Sequence, residues 1–298
     1  MPSIRVIRQR IRSIKNTAKI TKAMEMVASS KMRRAQQRAL QARPYSQQLH
    51  ALVSRLAAIS GTDVSEELAL LQQRPVHNIG ILLITPDRGL CGALPSNMNR
   101  MAATTALDLR SRLAEQGQRP DVSYICVGRK GRDFVVRNRQ NILAEFTNYG
   151  ERPSMNDASA IAQVAVDAFL KREVDIVYLV YPQFVNTVTQ RPTSVQLLPV
   201  QPPEGAQGAS RETVEYIYEP DPAEIFKALL PRYVDVQVYQ ALLETISSFL
   251  SAQMIAMKNA TDNANELIDD LTLTYNKARQ AAITTQIIEV VSGAEALS

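Results

Sequence analysis

The chain has 298 residues, of which 45% are hydrophobic and only 5% aromatic, and it contains no tryptophan. No apolar run approaches the roughly 18 residues that a membrane-spanning helix needs, and two cysteines are too few for a disulfide scaffold, which favours an intracellular chain with free thiols. Twelve of the 34 Lys and Arg residues lie in the first 43 positions beside a single acid, Glu25, while the remainder holds 22 basic and 28 acidic residues.

The first predicted element is a long N-terminal helix that ends at about Ala57. A coiled-coil seam is indicated by residues at alternating steps of three and four, namely Ile4, Ile7, Ile11, Ile14, Ala18 and Thr21. A row of cations repeats one position further on, at Arg5, Arg8, Arg12, Lys15, Lys19 and Lys22. Such a helix packs one stripe against a partner and presents the cations beside it. Because this basic segment has no apolar core, it is not a secretory signal peptide.

Short β-branched runs alternate with segments of helical character in the middle of the chain. Strands are predicted at 76–85, 122–127, 142–146 and 174–181, and helices at 97–115, 129–137 and 154–171. This alternation predicts a Rossmann-like α/β domain with a mostly parallel sheet. Two further runs, 194–200 and 213–218, flank a loop rich in Pro, Gly and Gln, and they are predicted to form a hairpin.

A second long helix is predicted at the C-terminal end, where no Pro or Gly lies between Pro231 and Gly293. Its seam runs through Leu250, Met254, Met257, Thr261, Ala264, Ile268, Leu271, Tyr275, Ala278, Ala282 and Thr285. Neither narrow stripe suffices alone, so the two helices are predicted to pair as an antiparallel two-helix coiled coil. The α/β domain is inserted between them, which divides the chain into 1–57, 58–219 and 220–298. The alternative is two amphipathic helices on separate cores, but no core of matching length is visible.

Signals for catalysis or ligand binding are weak. Neither His50 nor His77 has a Cys or carboxylate at ligand spacing, so neither a zinc site nor a catalytic triad is indicated. The loop PDRGLCG (86–92) follows the first predicted strand, where α/β folds bind phosphate. It lacks the glycine motifs of nucleotide sites, and a strand–helix turn is favoured. The segment GRKGRD (128–133) is either an anion site at a helix N-terminus or a solvated turn, and the turn is again favoured.

Five segments resemble the gamma subunit of F-type ATP synthases. They are ITKAMEMVASSKM (20–32), DRGLCG (87–92), MKNATDNANELI (257–268), LTYNKARQAAIT (273–284) and SGAEAL (292–297). The resemblance covers both ends and the middle of the chain. It implies a central shaft that turns inside a ring of three alpha and three beta subunits, with the α/β domain as a foot that binds the epsilon subunit and the c-ring. It also implies a peripheral location at the cytoplasmic face of a bacterial plasma membrane, and no catalytic site, cofactor or metal in this chain.

The resemblance further implies which residues couple the shaft to the beta subunits. Met24 and Lys22 match the part of the family that faces an acidic loop of beta, and Arg279 and Gln280 match positions that hydrogen-bond a beta loop near the shaft tip. The tip itself is the apolar run Ile287, Ile288, Val290 and Val291, placed inside a hydrophobic collar. One departure is that Gln286 stands where the family usually has Glu, although Glu289 remains.

Two other functions compete with this interpretation. A basic helix with a seam also describes a basic-region zipper, but here the cations share the helix with the seam over its whole length, and the rest of the chain is acidic. Binding to nucleic acid is therefore not expected. The second alternative is a dinucleotide-dependent enzyme built on the α/β domain.

Overall fold

A computed structural model describes residues 4–67, 69–115, 117–201 and 222–295. The chain divides into two compact units, which we call the helical unit (Met1–Ser30 with Gln253–Ser298) and the sheet unit (Lys31–Ala252). The elements in chain order are α1 (Ile4–Glu67), β1 (Asn78–Ile84), α2 (Leu94–Glu115), β2 (Asp121–Val127), α3 (Arg129–Arg137), β3 (Asn141–Phe146), α4 (Met155–Leu170), β4 (Ile176–Phe184), β5 (Gln190–Leu198) and α5 (Pro222–Glu295). Two long terminal helices with a central α/β domain confirm the predicted fold class.

One five-stranded sheet lies at the centre of the sheet unit, in the order β3-β2-β1-β4-β5. The first four strands are parallel, and β5 pairs antiparallel with β4. The central strands are continuous apolar runs because helices cover both faces of a parallel sheet. Alternate residues of β1 accordingly enter two different cores, with Ile81 and Leu83 on one face and Leu82 and Ile84 on the other.

The two faces of the sheet are covered by different helices. On one face, α2 and α3 contribute Met98, Ala102 and Val135 to the core. On the other face the core contains residues of α4 and segments of both long helices, including Leu49, Val53, Leu56, Ile161, Phe169, Phe226 and Leu242. The helix α4 begins at a capping box, in which Ser154 and Asp157 satisfy each other's backbone amides.

A partly buried ion pair holds the segment that precedes β1. The Nε of Arg74 lies 2.7 Å from Oδ1 of Asp175, and the Arg74 guanidinium also donates to the carbonyls of Phe169 and Val174. The second carboxylate oxygen of Asp175 accepts from the backbone amides of His77 and Asn78. The pair thus joins the start of β1 to the start of β4, and the charges of Arg74 and Asp175 compensate each other.

The structure differs from the sequence predictions at element ends. The helix α1 passes through Pro44 and ends at Glu67, beyond the predicted end near Ala57. The helix α5 begins at Pro222 and passes through Pro231, so it extends beyond the stretch free of Pro and Gly on which its prediction rested. The strand predicted at 194–200 is Gln190–Leu198, and it pairs with β4; its predicted hairpin partner, 213–218, lies outside the described residues.

None of the helices that the structure describes is both long enough and apolar enough to cross a membrane.

Candidate functional site

The helical unit is an antiparallel pair of helix segments. Arg8 donates from Nη2 to the hydroxyl of Tyr275 at 2.8 Å, and the hydroxyls of Thr21 and Thr261 lie 2.7 Å apart. Residue numbers therefore rise along α1 while those of the residues opposite them fall along α5. The predicted antiparallel coiled coil is present at these positions, in the register that the two contacts define.

The seam between the two segments is narrow and made of small side chains. Its buried members are Ile7, Ala18, Thr21, Ala28, Met257, Thr261 and Ala264. The predicted seam residues Ile4, Ile11, Ile14, Ile268 and Leu271 are partly buried, whereas Thr285 is exposed, so the seam ends before that residue. Ala and Thr bring the two backbones close but remove little apolar surface from water.

The predicted cation row lies beside this seam and is exposed along its whole length. Its members are Arg5, Arg8, Arg12, Lys15, Lys19 and Lys22. Lys22, whose side chain is 57% exposed, pairs with Glu25 at 3.0 Å. Pairs of this kind are worth at most about 1 kcal/mol because solvent screens them. The row is therefore available to contacts that form and break easily.

The four predicted coupling residues occupy two separate levels of the helical unit. Met24 is partly buried at the edge of the seam, three residues after Thr21, while Arg279 and Gln280 are exposed. The register places Met24 opposite about residue 258 of α5, which is about 20 residues, or about 30 Å, from Arg279. The structure thus keeps Met24 with Lys22, and Arg279 with Gln280, but does not bring the two pairs together.

The predicted tip residues are exposed on α5. Ile287, Ile288, Val290 and Val291 each expose more than half of the side chain, with Val290 at 72%. The register places the described start of α1 opposite about residue 279, so these residues have no seam partner among the residues that the structure describes. Clustered exposed aliphatic side chains are a common feature of interaction surfaces, and the predicted role of these residues as a shaft tip stays a prediction.

The Arg8–Tyr275 contact was not predicted from the sequence. The guanidinium carbon of Arg8 lies 5.6 Å from the centre of the Tyr275 ring. The Arg8 hydrogen bond, with a smaller contribution from Arg279, holds the pKa of the Tyr275 phenol below its ordinary value. Tyr275 thus connects the cation row of α1 to the level of Arg279 on α5.

In the sheet unit, the two segments considered as phosphate sites are joined to each other by hydrogen bonds. The carboxylate of Asp87, in PDRGLCG, accepts from the backbone amides of Arg129 and Asn148, both at 3.0 Å. The next amides of α3 donate to the Pro86 carbonyl and the Thr85 hydroxyl. The first amides of α3, which could cradle an anion, are thus occupied by the chain's own acceptors. This arrangement favours the interpretation of both loops as turns.

The turn at Gly128 admits only glycine. Its φ is 94°, and a Cβ there would lie 1.9 Å from the Thr85 carbonyl oxygen. The hydroxyl of Tyr149 donates to that same carbonyl at 2.8 Å. Burial, with a smaller contribution from Asp87, raises the pKa of Tyr149, so the phenol stays protonated and keeps donating.

Both cysteines are free and buried in the sheet unit. Burial raises the pKa of Cys91 to about 11 and that of Cys126 to about 12. Because the thiolate is the reactive form, neither cysteine has the properties of a nucleophile or of a redox sensor.

Comparison with known proteins identifies the relatives of this chain. The sequence model of the ATP synthase family matches residues 3–297. The ATP synthase gamma chain of Dehalococcoides mccartyi strain 195 is 49% identical over 300 residues, and the alignment covers 100% of both chains.

Two solved structures of the Euglena gracilis mitochondrial ATP synthase share the fold. One, described as the rotor in rotational state 1, has a TM-score of 0.63 at 21% identity and covers 94% of this chain and 98% of that chain. The other, from a structure of OSCP, F1 and the c-ring, has a TM-score of 0.64 at 19% identity. It covers 99% of this chain and 94% of that chain.

Proposed function

The chain belongs to the ATP synthase gamma chain family, and from this membership we propose that it is the rotor, or central stalk, of an F-type ATP synthase. In this role it couples ion flow through a c-ring to ATP synthesis or hydrolysis in the beta subunits. It does so by rotating inside a ring of three alpha and three beta subunits. The chain contributes no catalytic residue of its own to the reaction.

The observation that best supports this role is the construction of the helical unit. Its two antiparallel segments bury only a narrow seam, which leaves most of their circumference exposed. The cation row follows one side of α1, so the surface differs from one side of the pair to the other. A shaft that is to distinguish three beta subunits needs such asymmetry, because a symmetric surface would act equally on all three.

The exposed cations suit contacts that must be broken in every turn. The family's beta subunits offer an acidic loop to the shaft, and each exposed ion pair would contribute less than about 1 kcal/mol. Lys22 and Met24 form one contact level on the shaft, and Arg279 and Gln280 form the second. Contacts of this strength transmit an angular preference without locking the shaft at one angle.

The remaining parts receive roles from the same proposal. Ile287, Ile288, Val290 and Val291 form a tip that turns inside an apolar collar, where aliphatic side chains make no directional bonds. Residues 58–219 form the foot, which binds the epsilon subunit and the c-ring, while 1–57 and 220–298 form the shaft. The complex holds the chain peripherally at the cytoplasmic face of a bacterial plasma membrane.

The competing functions are tested on the isolated chain. A dinucleotide-dependent enzyme needs a glycine-rich turn after its first strand, and the loop after β1, PDRGLCG, lacks that motif. The amides at the start of α3 already bind Asp87, Pro86 and Thr85. Equilibrium dialysis with NAD and with ATP should therefore detect no micromolar binding. DNA should bind only weakly, without sequence preference and with a strong dependence on salt.

Reconstitution tests the rotor assignment directly. The purified chain is mixed with alpha and beta subunits of a bacterial relative, and the products are separated by size exclusion and assayed for ATP hydrolysis. We expect one complex with a single copy of this chain per three alpha–beta pairs, with activity that the parts lack. Failure to associate with competent subunits would refute the assignment.

A pair of matched variants tests the coupling residues. Arg279→Ala with Gln280→Ala should slow ATP turnover more than it weakens assembly, because both side chains are exposed and available to beta. The control is Lys277→Ala with Asn276→Ala, which truncates two other exposed residues on the preceding turn. Normal turnover of the Arg279 and Gln280 variant, or equal slowing by the control, would remove this pair from the coupling site.

A further inference from the structure

A cleft of about 670 Å³ lies within the sheet unit. Its floor and rim come from the loops that follow β1, β2 and β3, and its far wall comes from Lys31 of α1 and Thr245, Ile246 and Phe249 of α5. Its volume falls in the range of small-molecule sites, which is about 300–1,000 Å³.

The cleft is positively charged, and its charges are unequally satisfied. Four basic side chains line it, Lys31, Arg88, Arg129 and Arg152, together with the acids Asp87 and Glu151. Both acids are already engaged: Glu151 pairs with Lys31 at 2.7 Å, and Asp87 accepts from two backbone amides. Four cations and two acids leave the lining with a net charge of +2, and the guanidinium groups are the cations that do not pair with Glu151.

Two of these guanidinium groups have no partner among the described residues. Arg88 and Arg152 are exposed, and neither makes an ion pair with any residue in the part of the chain that the structure describes. Arg129 donates to Oδ1 of Asn148 at 2.6 Å, which leaves its other donors available. Guanidinium groups present several donors in a planar fork that fits phosphate oxygens.

The position of the cleft in the sheet agrees with this chemistry. It lies at the carboxyl ends of the parallel strands, and β1 has β2 on one side and β4 on the other. The lining residues that the sheet contributes follow β1, β2 and β3. Open α/β sheets bind their ligands outside the carboxyl ends of their strands.

The rim is held in place by contacts that do not use the side chains of Arg88 and Arg152. Asp87 joins the loop after β1 to the start of α3 and to the loop after β3, through the amides of Arg129 and Asn148. The Lys31–Glu151 pair joins α1 to the same loop. The side chains of Arg88, Arg129 and Arg152 therefore extend from a backbone that is already ordered. This lowers the conformational entropy that is lost when a ligand binds.

We propose that this cleft is a binding site for a small phosphate-class anion, held by Arg88, Arg129 and Arg152. The α3 amides take no part, so recognition is by side chains. The site is separate from the coupling residues, all of which belong to the helical unit. It does not depend on the rotor function, because binding is measured on the isolated chain.

Calorimetric titration of the full chain with sodium pyrophosphate tests the proposal. We expect saturable binding of one pyrophosphate per chain, weakened at least about tenfold by Arg88→Ala with Arg152→Ala, because two charge-assisted contacts are lost. The control is Arg137→Ala with Arg191→Ala, which removes the same charge from exposed positions of the sheet unit outside the cleft. The control should change the affinity by less than about twofold, since distant exposed charges are screened.

Three outcomes would overturn the proposal. One is the absence of saturable binding at millimolar pyrophosphate in the wild-type chain. Another is equal weakening by both double variants, which would assign the effect to net charge. The third is displacement of pyrophosphate by a hexaglutamate peptide at a lower concentration than inorganic phosphate requires, which would assign the cleft to an acidic protein segment. Circular dichroism of each variant confirms that the fold is retained, as expected for substitutions of exposed side chains.

Discussion

Two stretches of α5 have similar apolar content and opposite surroundings. Residues 241–250 (ALLETISSFL) contain six apolar side chains and residues 283–292 (ITTQIIEVVS) contain five, yet every residue of the first stretch is buried and every residue of the second is exposed. Hydrophobicity alone therefore does not decide burial here. The first stretch belongs to a core inside the sheet unit, while the second retains an apolar surface that other molecules can contact.

The difference predicts where this protein tolerates substitution. Side chains in the sheet unit maintain the fold, so truncating them removes stability. Side chains on the exposed part of the helical unit contribute little to stability, and the proposed function assigns their apolar or cationic character to contacts in an assembly. Variants of the two regions should therefore separate stability from function.

The largest effect is expected from Leu242→Ala. Leu242 is fully buried in the core between the sheet, α4 and α5, and its truncation should lower the free energy of unfolding by about 3 kcal/mol, within the usual range of about 2–5. Ile287→Ala on the same helix is the matched control and should change stability by less than about 0.5 kcal/mol, because Ile287 is 59% exposed. Urea unfolding of both variants provides the measurement. Similar losses for the two would contradict the comparison.

A smaller effect is expected at the seam of the helical unit, where the hydroxyls of Thr21 and Thr261 contact each other. Each hydroxyl is also within hydrogen-bond distance of a carbonyl in its own helix, so two protons serve three contacts. Thr21 also lies 3.1 Å from the Ala18 carbonyl and Thr261 lies 2.9 Å from the Met257 carbonyl. Either hydroxyl can donate across the seam while the other donates to its own helix. Thr21→Val or Thr261→Val alone should cost about 1 kcal/mol, the usual net worth of one hydrogen bond.

The double variant Thr21→Val with Thr261→Val should cost less than the sum of the single variants, because each single variant already loses the one hydrogen bond between the two hydroxyls. Thr284→Val is the control: its hydroxyl is exposed and donates only to the Gln280 carbonyl. A double-mutant cycle measured by thermal unfolding gives the coupling energy. Strict additivity would show that the Thr21–Thr261 contact contributes nothing to pairing.

Sequence periodicity predicted the faces of the long helices but not their register. Steps of three and four placed Thr21 and Thr261 on their seams, yet the pairing across 240 residues of sequence required the structure. The strand pattern similarly predicted the central strands but did not predict that β5 pairs with β4, and the hairpin partner predicted at 213–218 lies outside the described residues. A strand pattern specifies which side chains face the core and leaves the neighbouring strand open.

The cleft escaped sequence analysis for a related reason. Arg88, Arg129 and Arg152 come from loops that follow three different strands, and only the strand order brings them together. The signal that the sequence did contain was the pair of glycine- and arginine-containing segments after β1 and β2. The Asp87 carboxylate of the first segment accepts from the backbone of the second, and the side chains of Arg88 and Arg129 extend from these two segments into the cleft.

The smallest effect concerns the titration of tyrosine residues. The two regions shift the pKa of a tyrosine in opposite directions. In the sheet unit, burial and the charge of Glu244 raise the pKa of Tyr181 to about 12. In the helical unit, Arg8 holds the pKa of Tyr275 below its ordinary value. Tyr275 should therefore lose its proton before Tyr181 as pH rises, which ¹³C NMR of the phenolic carbons resolves, with Tyr275→Phe as the assignment control.

Because the folded-state pKa of Tyr275 lies below that of the unfolded chain, about 10, its contribution to stability is present above pH 10 and is lost as pH falls through the folded value. Tyr181 has the opposite sign: its contribution is present below about pH 10 and is lost as pH rises through about 12. Arg8→Ala should return the Tyr275 pKa towards 10, whereas Arg12→Ala, one turn further along the same cation row, should leave it unchanged. An equal shift from both substitutions would show that the general field of the row, and not the 2.8 Å hydrogen bond from Arg8, sets the pKa of Tyr275.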